Sequence, residues 1–533
     1  MNNKKSRHIL NIEQVLLQDF DIVIVGGGMG GATAALALTK KGYKVLLLEK
    51  GFADLSNENQ TDIDVELNDP ADRISHHRWP TRITSIIDDF ETTNFTPIGC
   101  GIGGSTRFYA GALERLEPID FLPQTMPDGS IVEWPYTYHE LEPYYQQVEE
   151  LFNVHGSPDP LNETLNYKIK IPIELNATDK HFFNMFKQSG LHPYHLHIAL
   201  SNDQKTTAHE KIMGALEACI LPALETGNLK IIESCEVIHI NTSTDTVTGV
   251  IVSHLNNSYS ISVKRLILAG GAFFTPIMLL RSINQHWPKG IANNNDLVGR
   301  NLMFHVSDYI GIWGTEKHRD LEAKKSIALR NLYFYEGVKL GQLQSVGRSI
   351  EFGYILYFLR NMLNSSFFGK IPIINKIIRQ LLRIPAYIAV YIFKDASVFA
   401  SIVEDYPYHT NRVVYDKTKP SNLYFTYNIT DELKTRVRKF RHLMKKKINS
   451  KLMIVFNKDV TLNYGHPCGT CKAGNDPKYS VVNSHCKVHN MKNLYIADAS
   501  FMPTSGGTNP SLTIAANALR VVDGIIDDDK LNN

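Results

Sequence analysis

A strand, a glycine turn, a helix and a second strand near the start of this chain constrain it most. Residues 21–25, Asp-Ile-Val-Ile-Val, are β-branched and apolar and read as a buried parallel strand. Gly26, Gly28 and Gly31 follow in G-x-G-x-x-G register. The first glycine of such a turn permits the tight bend. The second lets backbone approach a pyrophosphate, and the third lets helix lie close on strand. Residues 32–41 read as an Ala/Leu-rich helix stopped by Gly42, and 44–48 as a strand ending at Glu49. An acid there, about 20 residues past the glycines, suits a ribose hydroxyl. With all parts in order, the run predicts a nucleotide-binding α/β unit rather than a plain Gly-rich turn. It does not separate NAD from FAD, though Glu49 in place of an arginine disfavours a 2′-phosphate.

The chain has 533 residues, enough for several domains' worth of core. Its 56 Lys+Arg against 54 Asp+Glu leave no net charge that would favour nucleic acid as a partner. A basic start without an apolar core after it is read as no secretory signal, and no apolar run is clean enough to span a bilayer. Six cysteines in so long a chain are expected to be reduced thiols of a cytoplasmic protein, not a disulfide framework. Cys468 and Cys471, with Cys486 and His489, have spacing that zinc accepts. No metal is expected, because a different pattern, given below, accounts for those positions.

Residues 99–106, Gly-Cys-Gly-Ile-Gly-Gly-Ser-Thr, form a second Gly-rich loop, permissive enough for backbone to approach a flat or charged ligand. Residues 54–72 read as an acidic, solvated excursion. Thr137 and Glu140 form a capping-box pattern ahead of a helix over 141–152. Residues 231–240 and 266–269 read as strands, and 269–280 as a turn into a helix started by Pro276. Residues 412–415 and 423–427 read as paired strands, and 431–448 as a very basic helix with a solvated face. Ile373, Ile377 and Leu381 recur at helical spacing beside Ile374, Ile378 and Leu382, with Lys376, Arg379 and Arg383 on the other side. Residues 367–394 therefore read as a helix packed on its own domain, with Pro372 and Pro385 at its ends, or as a basic amphipathic helix in peripheral contact with a membrane.

The C-terminal end holds three more pieces: Gly465-His466-Pro467-Cys468-Gly469-Thr470, then a strand running into Asp498-Ala499-Ser500, then Asn509-Pro510. A neutral histidine suits proton removal, because its unperturbed pKa is near ~6.5. Asn is an N-cap residue and Pro an N1 residue, so a helix is expected to begin at Asn509, with its positive end available to an anion. A cofactor grip at one end and a proton-handling group at the other point to a redox enzyme.

Taken together, these motifs resemble the glucose–methanol–choline (GMC) flavoprotein oxidoreductases, above all the bacterial choline-dehydrogenase-like branch. Gly26, Gly28, Gly31 and Glu49 match the family's FAD grip, and Gly103, Gly104, Ser105 and Thr106 its first signature loop, which lies against the flavin. Residues 271–276 with Leu279, Leu280 and Ser282 are similar to the second signature, and residues 298–302 followed by His305 are also family-like. Val237, Asp498, Ala499 and Pro510 fall at further FAD-side positions. The resemblance implies a mixed α/β (α+β) fold, in which a Rossmann-like FAD-binding domain is interleaved with a substrate-binding domain on an antiparallel sheet with helices. It assigns 18–160, 206–305 and 462–530 to the FAD domain, 306–461 to the substrate domain and 161–205 to an excursion of the latter.

The implied reaction is oxidation of the CH-OH group of a small-molecule alcohol, with hydride transfer to flavin N5. His466 is its proton acceptor, and Asn509 the group that hydrogen-bonds the substrate oxygen. The helix at Asn509 would face the flavin N1–C2=O edge. Family members that attach flavin covalently use a histidine in the first signature loop. Here that loop runs Arg107-Phe108-Tyr109, so non-covalent FAD is expected. The second signature lacks the Gly after Ser282. An NAD(P)-dependent reductase and a flavin-dependent lyase of the same family are the alternatives. The electron acceptor, whether oxygen, a quinone or a protein, stays open.

Overall fold

The computed structural model describes residues 8–56, 69–201, 212–314, 325–347, 355–356, 359–360, 363, 371–393, 396–418 and 423–532. The elements of the first parallel layer and its helices up to the middle of the chain are β1 (Ile22–Val25), α1 (Met29–Lys40), β2 (Val45–Leu48), α2 (Tyr138–Leu151), β3 (Leu229–Ile232), β4 (Leu266–Leu268) and α3 (Gly271–Arg281). The next group is β5 (Met303–Val306), β6 (Tyr309–Trp313), β7 (Gly341–Ser345), α4 (Pro372–Leu381), α5 (Arg383–Phe393), β8 (Ala396–Val403), α6 (Asp431–Lys447), β9 (Leu452–Val455) and β10 (Leu462–Cys468). The chain then returns through β11 (Leu494–Ile496) and α7 (Ser511–Asn532).

β1, β2, β3, β4 and β11 form one parallel sheet in the order β3-β2-β1-β4-β11. Its strands come from the start, middle and end of the chain, so the Rossmann-like layer closes only when distant segments meet. β1 and β2 are buried along their whole length, as both faces of a parallel sheet demand. α1 lies close on β1 for a steric reason: a Cβ on Gly31 would sit 2.0 Å from the Gly26 carbonyl oxygen. α7 packs against α1 and α2, and the Tyr145 hydroxyl meets Thr513 Oγ1 at 2.9 Å. The capping box ahead of α2 forms as the sequence predicts, with Thr137 as N-cap.

Three local expectations change. The strand predicted over 231–240 is two strands, because Ser234 turns the chain at φ +49°. β3 ends at Ile232, and Cys235–Thr242 opens a separate three-stranded antiparallel sheet. An apolar run cannot by itself report which sheet it joins. Pro276 does not start its helix but lies inside α3. Its missing N–H frees the Ala272 carbonyl, which instead accepts the Thr470 hydroxyl at 2.6 Å. The helix expected over 367–394 is divided at Leu382 into α4 and α5, with helix bonds continuing across the junction, and residues 367–370 and 394 lie outside the described residues. Pro372 stands at the start of α4 as expected. Pro385 lies in the first turn of α5, where a missing N–H removes no helix bond. Of the acidic excursion over 54–72, residues 57–68 also lie outside the described residues.

The second layer is an eight-stranded sheet in which β9, β6, β8 and β7 run in that order, with β5 pairing β8 and β10. All of these pairs are antiparallel. Arg412–Val414 and Leu423–Tyr427 pair antiparallel, as predicted, and join Ile83–Ile87 in a smaller sheet. α6 is basic on one side only: Leu433, Val437, Phe440, Leu443 and Met444 are buried, and so is Arg436, which bonds Glu432.

Candidate active site

The two Gly-rich loops lie on one another. Gly103 N–H donates to the Gly27 carbonyl at 2.9 Å, and a Cβ on Gly104 would sit 2.8 Å from Gly28 Cα. Glu49 is buried and ties the loops together. Its carboxylate accepts from the N–H groups of Gly27 and Gly51 at 2.9 Å and of Gly101 at 3.0 Å. Ser105 Oγ accepts from Gly99 N–H at 3.0 Å, within the same loop. Gly28 is the N-cap of α1 and supplies no side-chain cap. A Cβ there would meet nothing closer than Gly104 Cα at 3.9 Å, so space lies over the helix N-terminus. Helix N-terminal N–H groups under open space form an anion cradle.

β10 carries His466, and β5, its antiparallel partner, carries His305. The two Nδ1 atoms are 3.0 Å apart and the rings are perpendicular, at 89°. His305 Nε2 lies 3.2 Å from the Ser505 carbonyl oxygen and 3.0 Å from that of Gly506. Carbonyls only accept, so Nε2 of His305 carries the hydrogen. Burial pushes the pKa of His305 down to about 4, so the ring is neutral and its Nδ1 is a lone pair. His466 Nδ1 must then donate to it, and the lone pair of His466 falls on Nε2. Asn463 Nδ2 is farther from the same nitrogen, at 3.4 Å, and also lies 3.3 Å from Ser307 Oγ. Burial, then the neighbouring His305 and Lys325, hold His466 well below the usual histidine range. It is a neutral ring with its acceptor nitrogen set by a neighbour 161 residues away.

A parallel chain orients Asn509. Arg330, which can only donate, gives Nε–H to Gln342 Oε1 at 3.2 Å. That leaves Gln342 Nε2 to donate to Asn509 Oδ1 at 3.4 Å, so the Asn509 amide presents its NH₂ as a donor. Arg330 is itself buried and held by Glu114 at 2.7 Å and by Glu117. The loop ahead of Asn509 is pinned from several sides. Trp134 Nε1 donates to Thr504 Oγ1 at 3.0 Å, Gly507 N–H donates to the Tyr333 hydroxyl at 2.9 Å, and His305 takes the two carbonyls already named. Thr508 Oγ1 is buried with no hydrogen-bond partner among the described residues, which fits a polar group arriving beside it.

The expected cap at Asn509 is displaced by one residue. α7 begins at Ser511, and Ile514 N–H bonds the Pro510 carbonyl, so Pro510 occupies the cap position and Asn509 precedes it. Asp498 is buried and fully engaged. It accepts from Ser500 N–H and Oγ, from Thr275 Oγ1 at 2.5 Å and from Gly271 N–H at 2.9 Å. It thereby joins the second signature to the C-terminal block. Ala499 accepts Gly469 N–H at 3.1 Å, which aligns the segment after His466. Val237 is buried beside a register shift in its sheet, so its side chain faces core and only its backbone is left to a ligand. Arg107 is turned away to Asp54, 3.0 Å distant.

All six cysteines are free and buried. Burial pushes the thiols of Cys468 and Cys471 up. His489 Nε2 contacts Ser480 Oγ at 2.9 Å, and no cluster of metal-ligating side chains occurs among the described residues. Gln342 and Arg330 were invisible in the sequence, since no motif surrounds them. His305 carried one signal, its place after the family-like run 298–302, and the structure puts it in the buried strand Met303–Val306.

Two family models, each described as GMC oxidoreductase, match residues 20–307 and 407–518. The chain belongs to the GMC oxidoreductase family. It is 26% identical to paromamine 6′-oxidase of Streptomyces fradiae, over 96% of this chain and 92% of that one. It is 24% identical to 2-methyl-1,2-propanediol dehydrogenase of Mycolicibacterium austroafricanum, over 95% of each. Among solved structures, pyridoxine 4-oxidase from Mesorbium loti aligns with a TM-score of 0.65 and 18% identity, over 96% of this chain and 99% of that one. Enzymes of the family are FAD-dependent oxidoreductases of alcohol-type substrates. The residues present fit that cofactor. Space lies over Gly28 at the start of α1, Glu49 stands at the end of β2, and the Thr508 hydroxyl awaits a partner.

Proposed function

We propose that this protein oxidises the CH-OH group of a small-molecule alcohol with non-covalently held FAD, and that His466 takes the hydroxyl proton. The carrying observation is the pair of orienting chains. One leaves His466 with its lone pair on Nε2, and the other leaves Asn509 with its NH₂ as a donor. An alcohol oxygen needs both, an acceptor for its proton and a donor for the charge that develops on it. Bound FAD supplies the acceptor for the carbinol hydride.

Gly26, Gly28, Gly31 and Glu49 would hold the dinucleotide end, with the Val237 backbone beside it. Gly103, Gly104 and Ser105 would lie along the ring system, and Asp498 and Ala499 near the ribityl–phosphate stretch. Pro510 at the start of α7 would bring the positive helix end to the ring. Residues 18–160, 206–305 and 462–530 would make up the cofactor domain. Residues 306–461, with 161–205, would make up the substrate domain. The 103–109 loop contains no histidine, which supports non-covalent attachment.

The test is anaerobic mixing of the purified holoprotein with a panel of primary and secondary alcohols, followed by oxygen and quinone reoxidation. Bleaching of the flavin by at least one alcohol is expected. A yellow protein that no alcohol reduces would overturn the assignment. Acid precipitation should release the flavin to the supernatant, and colour kept in the pellet would refute non-covalent attachment.

A further inference from the structure

α4 and α5 form an insertion between β7 and β8, which are neighbours in the large sheet. Helix bonds run on across their junction: Leu382 N–H bonds the Ile378 carbonyl, and Ala386 N–H that of Leu382. At about 3.6 residues per turn, Ile373, Ile377, Leu381, Ile384 and Ile388 fall on one stripe. Each of these five side chains is between 56% and 74% exposed. The least exposed side is a different one, formed by half-buried Ile374, Ile378 and Leu382 and by Ala386, which is fully buried. A helix packed on its own domain would bury its widest apolar stripe. Here the stripe faces out while a neighbouring side is the more buried one.

Charge identifies the occupant. Lys376 and Arg383, both exposed, flank the stripe together with Arg379. Between Glu351 and Asp395 the sequence has six Lys or Arg and no acidic residue, in a chain that is otherwise balanced. A second protein surface would need matching acids. An anionic bilayer meets both features at once, because apolar side chains enter the acyl boundary while flanking cations stay with the headgroups. No helix among the described residues is long and apolar enough to cross a membrane.

We infer that the α4–α5 insertion is a peripheral docking surface for an anionic phospholipid bilayer. It lies flat in the interface through the stripe that starts at Ile373 and includes Ile388. The test uses FAD-loaded full-length protein and flotation with vesicles of phosphatidylcholine, with or without phosphatidylglycerol. At low salt the protein should float with the anionic vesicles and stay behind with the neutral ones. The double variant Ile377→Glu/Ile384→Glu should lose flotation while keeping its flavin absorbance. Lys376→Glu/Arg383→Glu should lose it too. Wild-type protein that does not float at low salt overturns the inference, as does flotation unchanged in the isoleucine variant. So does a wild-type dimer that fails to float and that Ile377→Glu/Ile384→Glu converts to monomer. In that case a second copy covers the stripe.

Discussion

His466 and His305 face each other through their Nδ1 atoms, 3.0 Å apart, on paired antiparallel strands. One ring fixes the tautomer of the other. The backbone carbonyls of Ser505 and Gly506 take the His305 Nε2 hydrogen, so the direction of both hydrogen bonds follows. In the proposed mechanism His305 is thus a positioning residue, and His466 keeps its lone pair on Nε2.

Removing the base should hurt chemistry and spare cofactor binding. His466→Ala should keep its FAD and slow its reduction by alcohol by about 10²–10⁴-fold, the usual contribution of a positioned base. Rapid mixing under anaerobic conditions measures this directly. Reduction at the wild-type rate would show that another group takes the proton.

The pH dependence follows from the same pair. Burial holds His466 well below the usual histidine range and His305 at about 4, so both are neutral around neutrality. The neutral ring is the base, so the reduction rate should be level from about 6.5 upward and fall only at more acid pH. Stability runs the same way. The folded pKa values lie below the unfolded one, so the unfolded chain binds protons first and stability drops as pH falls below about 6.5. A rate inflection at or above that value would contradict the neutral pair.

Gln342 should act through Asn509. Gln342→Leu leaves Asn509 Oδ1 without its donor and frees the amide to flip. Reduction should slow by up to about 10²-fold, the cost of a misplaced group, with kcat falling more than KM rises. Gln342→Glu should not rescue it, since a carboxylate offers Asn509 no N–H. Equal rates in wild type and Gln342→Leu would remove Gln342 from the site.

The glycines of the first turn should separate by role. A Cβ at Gly28 meets nothing nearer than 3.9 Å, so Gly28→Ala should fold, stay monodisperse and lose FAD affinity. Gly31→Ala puts a Cβ 2.0 Å from the Gly26 carbonyl oxygen and should lower stability before it affects binding. Flavin content and melting temperature of the two variants distinguish these outcomes.

The buried pair Arg115–Glu149 offers a stability test away from the site. Arg115 Nε and Nη2 meet the carboxylate at 2.6 and 2.7 Å, with both side chains fully buried. Glu149→Ala strands a buried guanidinium and should cost about 3–5 kcal/mol by urea unfolding. Glu142, 3.6 Å from Arg115 Nη1, is the remaining acid, and a cost below about 1 kcal/mol would mean that it takes over the pairing.

The sequence by itself determined the parts that local chemistry dictates. The strand before Gly26, the turn that only glycine tolerates, the capping box at Thr137 and the family-like order of blocks were all legible. Each depends on residues a few positions apart. It misjudged boundaries where the deciding contact was distant. Nothing near 231–240 tells that β3 stops to fit alongside β2, and nothing near Pro276 tells that Thr470 will take the carbonyl it frees. Only the tertiary structure decided which nitrogen of His466 meets His305, which end of the Asn509 amide meets Gln342, and that the Ile373 stripe is exposed. Those outcomes rest on hydrogen bonds and burial between segments more than a hundred residues apart, and periodicity carries no record of them.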